Sequence, residues 1–251
     1  MTSPAHSVDL ERARAPEGMR LYAIGDIHGC LDQLDEMHQL IADEIARDKP
    51  EDWRVIHLGD FIDRGPDSRG VLSRLVAARA RDPRNIVLLG NHDAGLLDFL
   101  ALPTPHSLFA RYGGDATAAS YGVELRVEDD VALRRTHSAL RRAIPRSQLE
   151  MLETAATSVS FGDFFFCHAG IKPGVPLEHQ RRDELIWIRD EFLEDTHLHP
   201  KVVVHGHTPV EQPEFRRNRV NIDTGCYRTG MLTGLVIDQA NKRILTAKGE
   251  R

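Results

Sequence analysis

Five short apolar runs organise this chain, and each ends in a polar tip marked by glycine or histidine. The runs are Leu21 to Ile24, Val55 to Leu58, Ile86 to Leu89, Phe164 to Cys167 and Val202 to Val204. Their length suits buried strands and is too short for helices. Between the first three the period changes. Leu31, Leu34, Met37, Leu40, Ile41 and Ile45 recur at three- and four-residue steps, which predicts an amphipathic helix leaving at Pro50. Asp67 or Ser68 can cap a second helix carrying Val71, Leu72, Leu75 and Val76, which must stop before Pro83. Alternating strand and helix in this way predicts a βαβαβ unit with a largely parallel sheet.

From Asp93 to about Ile144 the pattern turns helical, broken by Pro103, Pro105 and Gly113-Gly114, and shows no strand. This stretch, about 94–144, reads as a helical insertion beside the strand tips. Ser147-Gln148-Leu149-Glu150 has the form of a capping box, which puts a helix start near Gln148. Strands then dominate: Val159 to Phe161, Phe164 to Cys167 across a Gly162-Asp163 turn, Val202 to Val204, Val220 to Ile222 and Leu232 to Ile237. Late strands in a run suggest a second, more antiparallel sheet facing the first. Residues 1–18 mix Pro, Ser, Glu and Arg without an apolar core, so they read as a poorly ordered lead-in and not a secretory signal, with 19–251 as a single domain.

Composition narrows the function classes. With 251 residues, 41% of them hydrophobic, the chain can bury a sizeable core. A formal charge of −6 argues against a nucleic-acid partner. No run reaches the ~20 apolar residues of a membrane span. Cys30, Cys167 and Cys226 are an odd set in a sizeable chain, which disfavours a disulfide framework and makes the cytoplasm the expected compartment. They read as small buried filler sooner than as redox groups.

The tips carry the chemistry. They hold Asp26 and His28, Asp60, Asn91, His92, His168, His205 and His207. Strand ends at one sheet edge can gather into one cleft, and this oxygen and nitrogen inventory suits Mn²⁺, with Fe or Zn also fitting, more than Ca²⁺. Two such divalent ions, ~3.5–4 Å apart, stabilise the attacking and departing oxygens of a phosphoryl displacement and acidify water. Asp60 has two oxygens and can bridge. His92, next to Asn91, can serve as general acid, with Asp63 on its other ring nitrogen. Arg64 and Arg189 are candidate clamps for phosphate oxygens. Each residue alone has a plainer reading: a turn for Asp26-x-His28, a surface arginine for Arg189, a satisfied core histidine for His57. Spacing does not choose between His205 and His207. The combination of five tips is what points to metal-assisted phosphoester hydrolysis.

The segments GDIHGC (Gly25 to Cys30), GDFIDRGPDS (Gly59 to Ser68), GNHD (Gly90 to Asp93) and GHTP (Gly206 to Pro209) resemble the signature blocks of the phosphoprotein phosphatase family of calcineurin-like metallophosphoesterases. The likeness is clearest with its bacterial and bacteriophage-lambda-type members and runs from Arg20 to about Ile237. It implies an α/β four-layer sandwich of two mixed sheets flanked by helices. It also implies that Asp26, His28 and the bridging Asp60 hold one ion and that Asn91, His168 and His207 hold the other. His92 would be the general acid with Asp63 its partner, and Arg64 and Arg189 would clamp the phosphate. The stretch from Tyr112 to Gly122 resembles one that borders the catalytic groove in bacterial members.

The substrate is read from two residues. Asp93 ends the third block as it does in relatives that cut diadenosine tetraphosphate symmetrically. Asp63 is a feature of the protein phosphatases that those relatives often lack. The expectation is therefore dephosphorylation of phosphoserine or phosphothreonine, with phosphotyrosine as a further substrate, in phosphoproteins or phosphopeptides. The alternatives are symmetrical hydrolysis of dinucleoside polyphosphates, for which Arg111, Arg134, Arg135, Arg141 and Arg142 offer positive charge, and a non-catalytic scaffold, which full occupancy of the motif positions disfavours.

Overall fold

A computed structural model describes residues 7–249. Two five-stranded mixed sheets face each other, and helices cover their outer faces. The first sheet is built from β1 (Met19–Ile24), β2 (Asp52–His57), β3 (Asn85–Val87), β9 (Leu232–Asp238) and β10 (Asn241–Ala247), in the order β10-β9-β1-β2-β3. The second comprises β4 (Ser158–Phe161), β5 (Phe164–Cys167), β6 (Val202–His205), β7 (Glu214–Phe215) and β8 (Arg219–Asn221), in the order β4-β5-β6-β8-β7.

Period-two alternation assigns each strand's two faces. Leu21 and Ala23 of β1 join Ile56, Phe164, Phe166, Val202, Val204, Leu235 and Ile237 in the layer between the sheets. Their neighbours Tyr22, Ile24, Phe165, Cys167, Val203 and Val236 point outward into the core shared with the helices. Strands buried on both faces have continuous apolar sequences, which is why these runs stand out. Each fully buried Leu, Ile, Val or Phe contributes about 1.5–3 kcal/mol.

The βαβαβ expectation holds. Helix α1 (Leu31–Asp48) and helix α2 (Ser68–Arg81) lie between parallel β1, β2 and β3. Leu34, Met37 and Ile41 form the buried stripe of α1, and Lys49 in the left-handed region ends it just before Pro50. Asp67 caps α2, its carboxylate accepting the Gly70 N–H at 2.7 Å. Among the described residues, positions 94–144 hold helices only: α3 (Asn91–Ala101), which begins inside the third motif, α4 (Leu108–Arg111), α5 (Gly114–Ser120) and α6 (Asp130–Ala143).

Four expectations are corrected. The strand at Leu232 does not extend the second sheet; it pairs antiparallel with β1 and carries β10, which the sequence reading missed, to the edge of the first. The second sheet is less antiparallel than expected, since β5, β6 and β8 run parallel. Helix α7 (Arg146–Glu153) starts at Arg146 after Pro145, and no side chain caps it, so Ser147 lies inside the helix instead of capping it. Of the lead-in, residues 1–6 lie outside the described residues, while the rest is fixed by packing. Val8, Ala13 and Ala15 are buried, and the backbone N–H groups of Val8, Leu10 and Ala15 donate to His199, Arg217 and Gln239.

Candidate metal centre

The polar tips emerge from the carboxyl ends of β1, β2, β3, β5 and β6 and meet in one place. Asp26, His28, Asp60, Asp63, Asn91, His92, His168 and His207 are all buried there. Two groups of possible ligand atoms, His28 with Asp60 and His92, and Asp60 with His168 and His207, each lie within 4.8 Å of one another. Asp60 belongs to both. The backbone is bent to reach this arrangement: His28, Asp60, Asp63, Arg64 and His207 all have positive φ, from 45° to 71°. Left-handed residues other than glycine cost about 1–3 kcal/mol each at such sites. Glycines make the close approaches. A Cβ on Gly206 would stand 2.0 Å from an Asp26 oxygen, and one on Gly90 would stand 2.2 Å from the Asp60 nitrogen.

A carbonyl or carboxylate orients the imidazoles of His28, His168 and His92. His28 Nδ1 donates to the Ile62 carbonyl at 2.7 Å, which leaves Nε2 aimed at Asp60 Oδ2, 3.4 Å away. His168 Nδ1 donates to Leu58 at 3.0 Å, and its Nε2 faces Asn91 Oδ1 at 2.9 Å and Asp60 Oδ1 at 3.4 Å. His207 Nε2 is buried with no hydrogen-bond partner. His92 Nδ1 meets Asp63 Oδ2 at 2.7 Å. His205 points elsewhere: it is buried with its ring edge-on to Phe192, outside both ligand groups.

The electrostatics are those of a crowded acidic centre. Burial and the neighbouring Asp223 carboxylate hold Asp26 well above the usual carboxylate range. Burial also pushes Asp60 up, but the imidazoles of His168, His92 and His28 outweigh it and hold that carboxyl well below its ordinary value. Burial and His168 push His207 down to about 2. Burial followed by Asp60 pushes Asp93 up to about 7. The carboxylates of Asp26, Asp60, Asp93 and Asp223 are buried together with these imidazoles, and although burial pulls His168 down, Asp60 and Asp26 outweigh it and raise it to about 9. Unpaired buried charge is costly, and cations bound between these groups would relieve it. The oxygen and imidazole donor set and the orphaned His207 nitrogen fit divalent ions.

Both arginines lie at the rim and are exposed. Arg64 forks across the opening, with Nη1 3.0 Å from His28 Nε2 and Nη2 2.8 Å from His92 Nε2, and its guanidinium sits 4.9 Å from the centroid of Tyr227. Arg189 donates to Thr208 Oγ1 at 3.2 Å. Beyond Asn91 a cavity of about 300 Å³ opens between α3 and helix α8 (Arg182–Trp187), lined by Leu102, Leu108, Ile186, Trp187, Asp98 and Asp183. The Trp187 ring lies edge-on to His207. Cys30, Cys167 and Cys226 are buried free thiols.

Sequence reasoning missed three contributors. Asp93, weighed only as a clue to substrate, accepts the N–H groups of Asp60 (2.8 Å), Phe61 (3.0 Å) and Gly90 (3.0 Å), and so moulds the Asp60 turn. Asp223 follows β8 and bonds the Gly225 N–H at 2.9 Å. Tyr227 stands over Arg64 and meets His28 edge-on. The carboxylate three residues into the Gly90 helix was a legible signal for the first. A single Asp or Tyr carries none.

Two mixed sheets whose strand ends present buried Asp, Asn and His around a shared carboxylate define a metallophosphoesterase, a hydrolase of phosphoester bonds. The calcineurin-like phosphoesterase family model matches residues 19–231, and the chain belongs to that family. The chain is 28% identical to the asymmetrical bis(5'-nucleosyl)-tetraphosphatase PrpE of Bacillus velezensis, over 84% of this chain and 86% of the relative. It is likewise 28% identical to the protein of that name from Halalkalibacterium halodurans, over 86% and 89%. Among solved structures, a serine/threonine phosphatase from Saccharomyces cerevisiae superposes with a TM-score of 0.60 at 13% identity, covering 96% of this chain and 86% of that one. A cold-active protein-tyrosine phosphatase from Shewanella gives a TM-score of 0.52 at 15% identity, over 94% and 84%. These likenesses of fold do not separate protein from nucleotide substrates. No helix among the described residues is long and apolar enough to cross a membrane.

Proposed function

We propose that this chain is a two-metal phosphomonoesterase whose His92 protonates a poor leaving group, the alkoxide of phosphoserine or phosphothreonine. In this reading Asp26, His28 and Asp60 would hold one ion, and Asn91, His168 and His207, with Asp60 again within reach, would hold the other. Such ions, Mn²⁺ being the favoured choice, neutralise charge on the phosphoryl oxygens and acidify water. The rest of the chemistry belongs to the side chains. Arg64 and Arg189 grip phosphate oxygens. A phosphate is a stronger partner for a guanidinium than a neutral imidazole is, so substrate would draw Arg64 off His92 Nε2 and free that nitrogen to carry a proton to the departing oxygen. Asp63 keeps the ring aimed from behind.

The observation that carries the substrate assignment is the intact His92–Asp63 pair at 2.7 Å. A general acid contributes most where the leaving group is basic; a nucleotide phosphate leaves readily without one. A second reading is favoured by the relatives' names and by the cavity beside Trp187: hydrolysis of dinucleoside tetraphosphates. It would take the asymmetrical form named for those relatives, where the sequence offered the symmetrical form as an alternative. Metal-reconstituted protein assayed side by side on a phosphothreonine peptide and on diadenosine tetraphosphate tests both. Higher kcat/KM on the peptide supports the first reading. Preference for the dinucleotide, with unequal nucleotide products, replaces it with the second.

A further inference from the structure

We infer that Thr117, on the helical insertion, is a positioning residue for the Asp63–His92 pair; the inference rests on the reading of His92 as general acid. Thr117 is fully buried in α5 and takes no part in that helix's own hydrogen bonding through its hydroxyl. Its Oγ1 lies 2.7 Å from Asp63 Oδ1, the carboxylate oxygen that does not face His92. The same Oγ1 accepts the Asp63 backbone N–H at 2.8 Å and lies 2.9 Å from Ser68 Oγ. Ser68 Oγ also accepts from the Asp63 N–H, at 3.1 Å.

The proton positions follow from these partners. Thr117 has one hydroxyl hydrogen, and a carboxylate can only accept, so that hydrogen goes to Asp63 Oδ1. Ser68 then donates to Thr117, and His92 Nδ1 donates to Asp63 Oδ2. A single chain of donors therefore runs Ser68 to Thr117 to Asp63, with His92 donating to the carboxylate's other oxygen, and such chains strengthen one another in a dry interior.

A buried threonine in a helix ordinarily bonds the carbonyl one turn back; here it spans to another element. Asp63 needs the support. Its φ is 71°, that of Arg64 is 69°, and burial pushes its carboxyl up from the ordinary range. The same segment holds the next residue too, since the Arg64 N–H donates to the Gly113 carbonyl at 3.1 Å. The insertion thus clasps Asp63 by its side chain and backbone and Arg64 by its backbone. This ties a segment outside the signature motifs to the aim of the acid. Misplacement of a reacting group by an ångström costs up to about 10²-fold, and loss of one of the two supports on Asp63 is expected to cost about tenfold.

The test compares wild type, Thr117→Val, Thr117→Ser, Ser68→Ala, Asp63→Asn and His92→Asn, all Mn²⁺-reconstituted, on p-nitrophenyl phosphate and on phenyl phosphate, whose leaving group is poorer. Thr117→Val is expected to lower kcat on phenyl phosphate about tenfold with little change on p-nitrophenyl phosphate and an unchanged KM. Thr117→Ser, which keeps the hydroxyl, restores it. Ser68→Ala, which breaks the chain one step further out, shifts kcat in the same direction and serves if the valine variant does not fold. In metal-free protein the hydrogen-bonded His92 Nδ1 proton should give a downfield NMR line that Asp63→Asn abolishes, Thr117→Val moves and Thr117→Ser keeps. Equal losses on both substrates, or an unmoved line in Thr117→Val and Ser68→Ala, overturn the inference while leaving His92 as the acid. If His92→Asn itself fails to discriminate the two leaving groups, the acid reading falls and the inference falls with it.

Discussion

Replacing Asp93 should damage both the fold and the centre, through three backbone bonds. Its carboxylate accepts the N–H groups of Asp60, Phe61 and Gly90, and all of these residues are buried. A buried donor left without a partner costs about 1–3 kcal/mol, so Asp93→Ala exposes the fold to a loss of roughly 3–9 kcal/mol if nothing relaxes. Two effects reduce this. Removing Asp93 also removes a carboxylate whose burial is unfavourable, as its rise to about 7 records, and water can enter the space left. A net loss of about 3–5 kcal/mol is expected, near the upper end for single substitutions. Asp93→Asn keeps one acceptor oxygen and turns an N–H₂ group toward the remaining donors, so it should lose about half as much. Urea unfolding of metal-free protein, read as a change in midpoint at constant m-value, measures this. Because the bonds shape the turn that aims Asp60, both variants should also lose metal affinity. A loss below 1 kcal/mol for Asp93→Ala would refute the assignment of Asp93 as the organiser of that turn.

Four further outcomes are expected. Gly206→Ala would place a methyl group 2.0 Å from an Asp26 oxygen; overpacking of this kind costs about 1–3 kcal/mol, and isothermal titration should show weakened metal binding. His57 is buried, with Nδ1 on the Ile86 carbonyl and Nε2 on His38, and burial pushes it down to about 4. The unfolded chain therefore takes up this proton first, so stability falls as pH drops from about 6.5 toward 4 and is unaffected by His57 above that window; His57→Gln should flatten part of the slope in pH-dependent urea unfolding. Trp187→Ala should raise KM for diadenosine tetraphosphate by about 5- to 150-fold if a base stacks there, the range of ~1–3 kcal/mol, with p-nitrophenyl phosphate unaffected; an equal change on both would exclude a base subsite. Arg64→Ala should raise KM for phosphate monoesters such as p-nitrophenyl phosphate, as steady-state kinetics would show, and an unchanged KM would remove Arg64 from phosphate binding.

The parts of this molecule legible in its sequence are those where one residue type must sit at one place. Strands buried on both faces, such as Phe164–Cys167 and Val202–His205, cannot avoid continuous apolar sequence. Tight turns that present candidate ligands place glycine beside Asp or Asn, as at Gly59-Asp60 and Gly90-Asn91. Strand β10 was invisible because it lies at a sheet edge, and Lys242, Arg243 and Thr246 interrupt its apolar pattern. Strand β7 has two residues and no pattern to read. The placing of Val8 and Leu10 could not be foreseen, since their backbone N–H groups donate to carbonyls more than 180 residues away along the chain, at His199 and Arg217. The capping box at Ser147 does not form because the helix begins earlier, at Arg146 with Pro145 at its N-cap, which leaves Ser147 within the first turn. Thr117 and Asp223 act through contacts that only the fold creates.

The measurement that bears most directly on this account is a titration of metal-stripped protein with Mn²⁺, following both heat and hydrolysis of p-nitrophenyl phosphate, for wild type and Asp60→Asn. Two ions per chain with activity rising as the second binds, and loss of both in Asp60→Asn, are the results expected of a shared carboxylate between two sites. Full activity with one ion, or an Asp60→Asn variant that binds two ions and turns over normally, would contradict it.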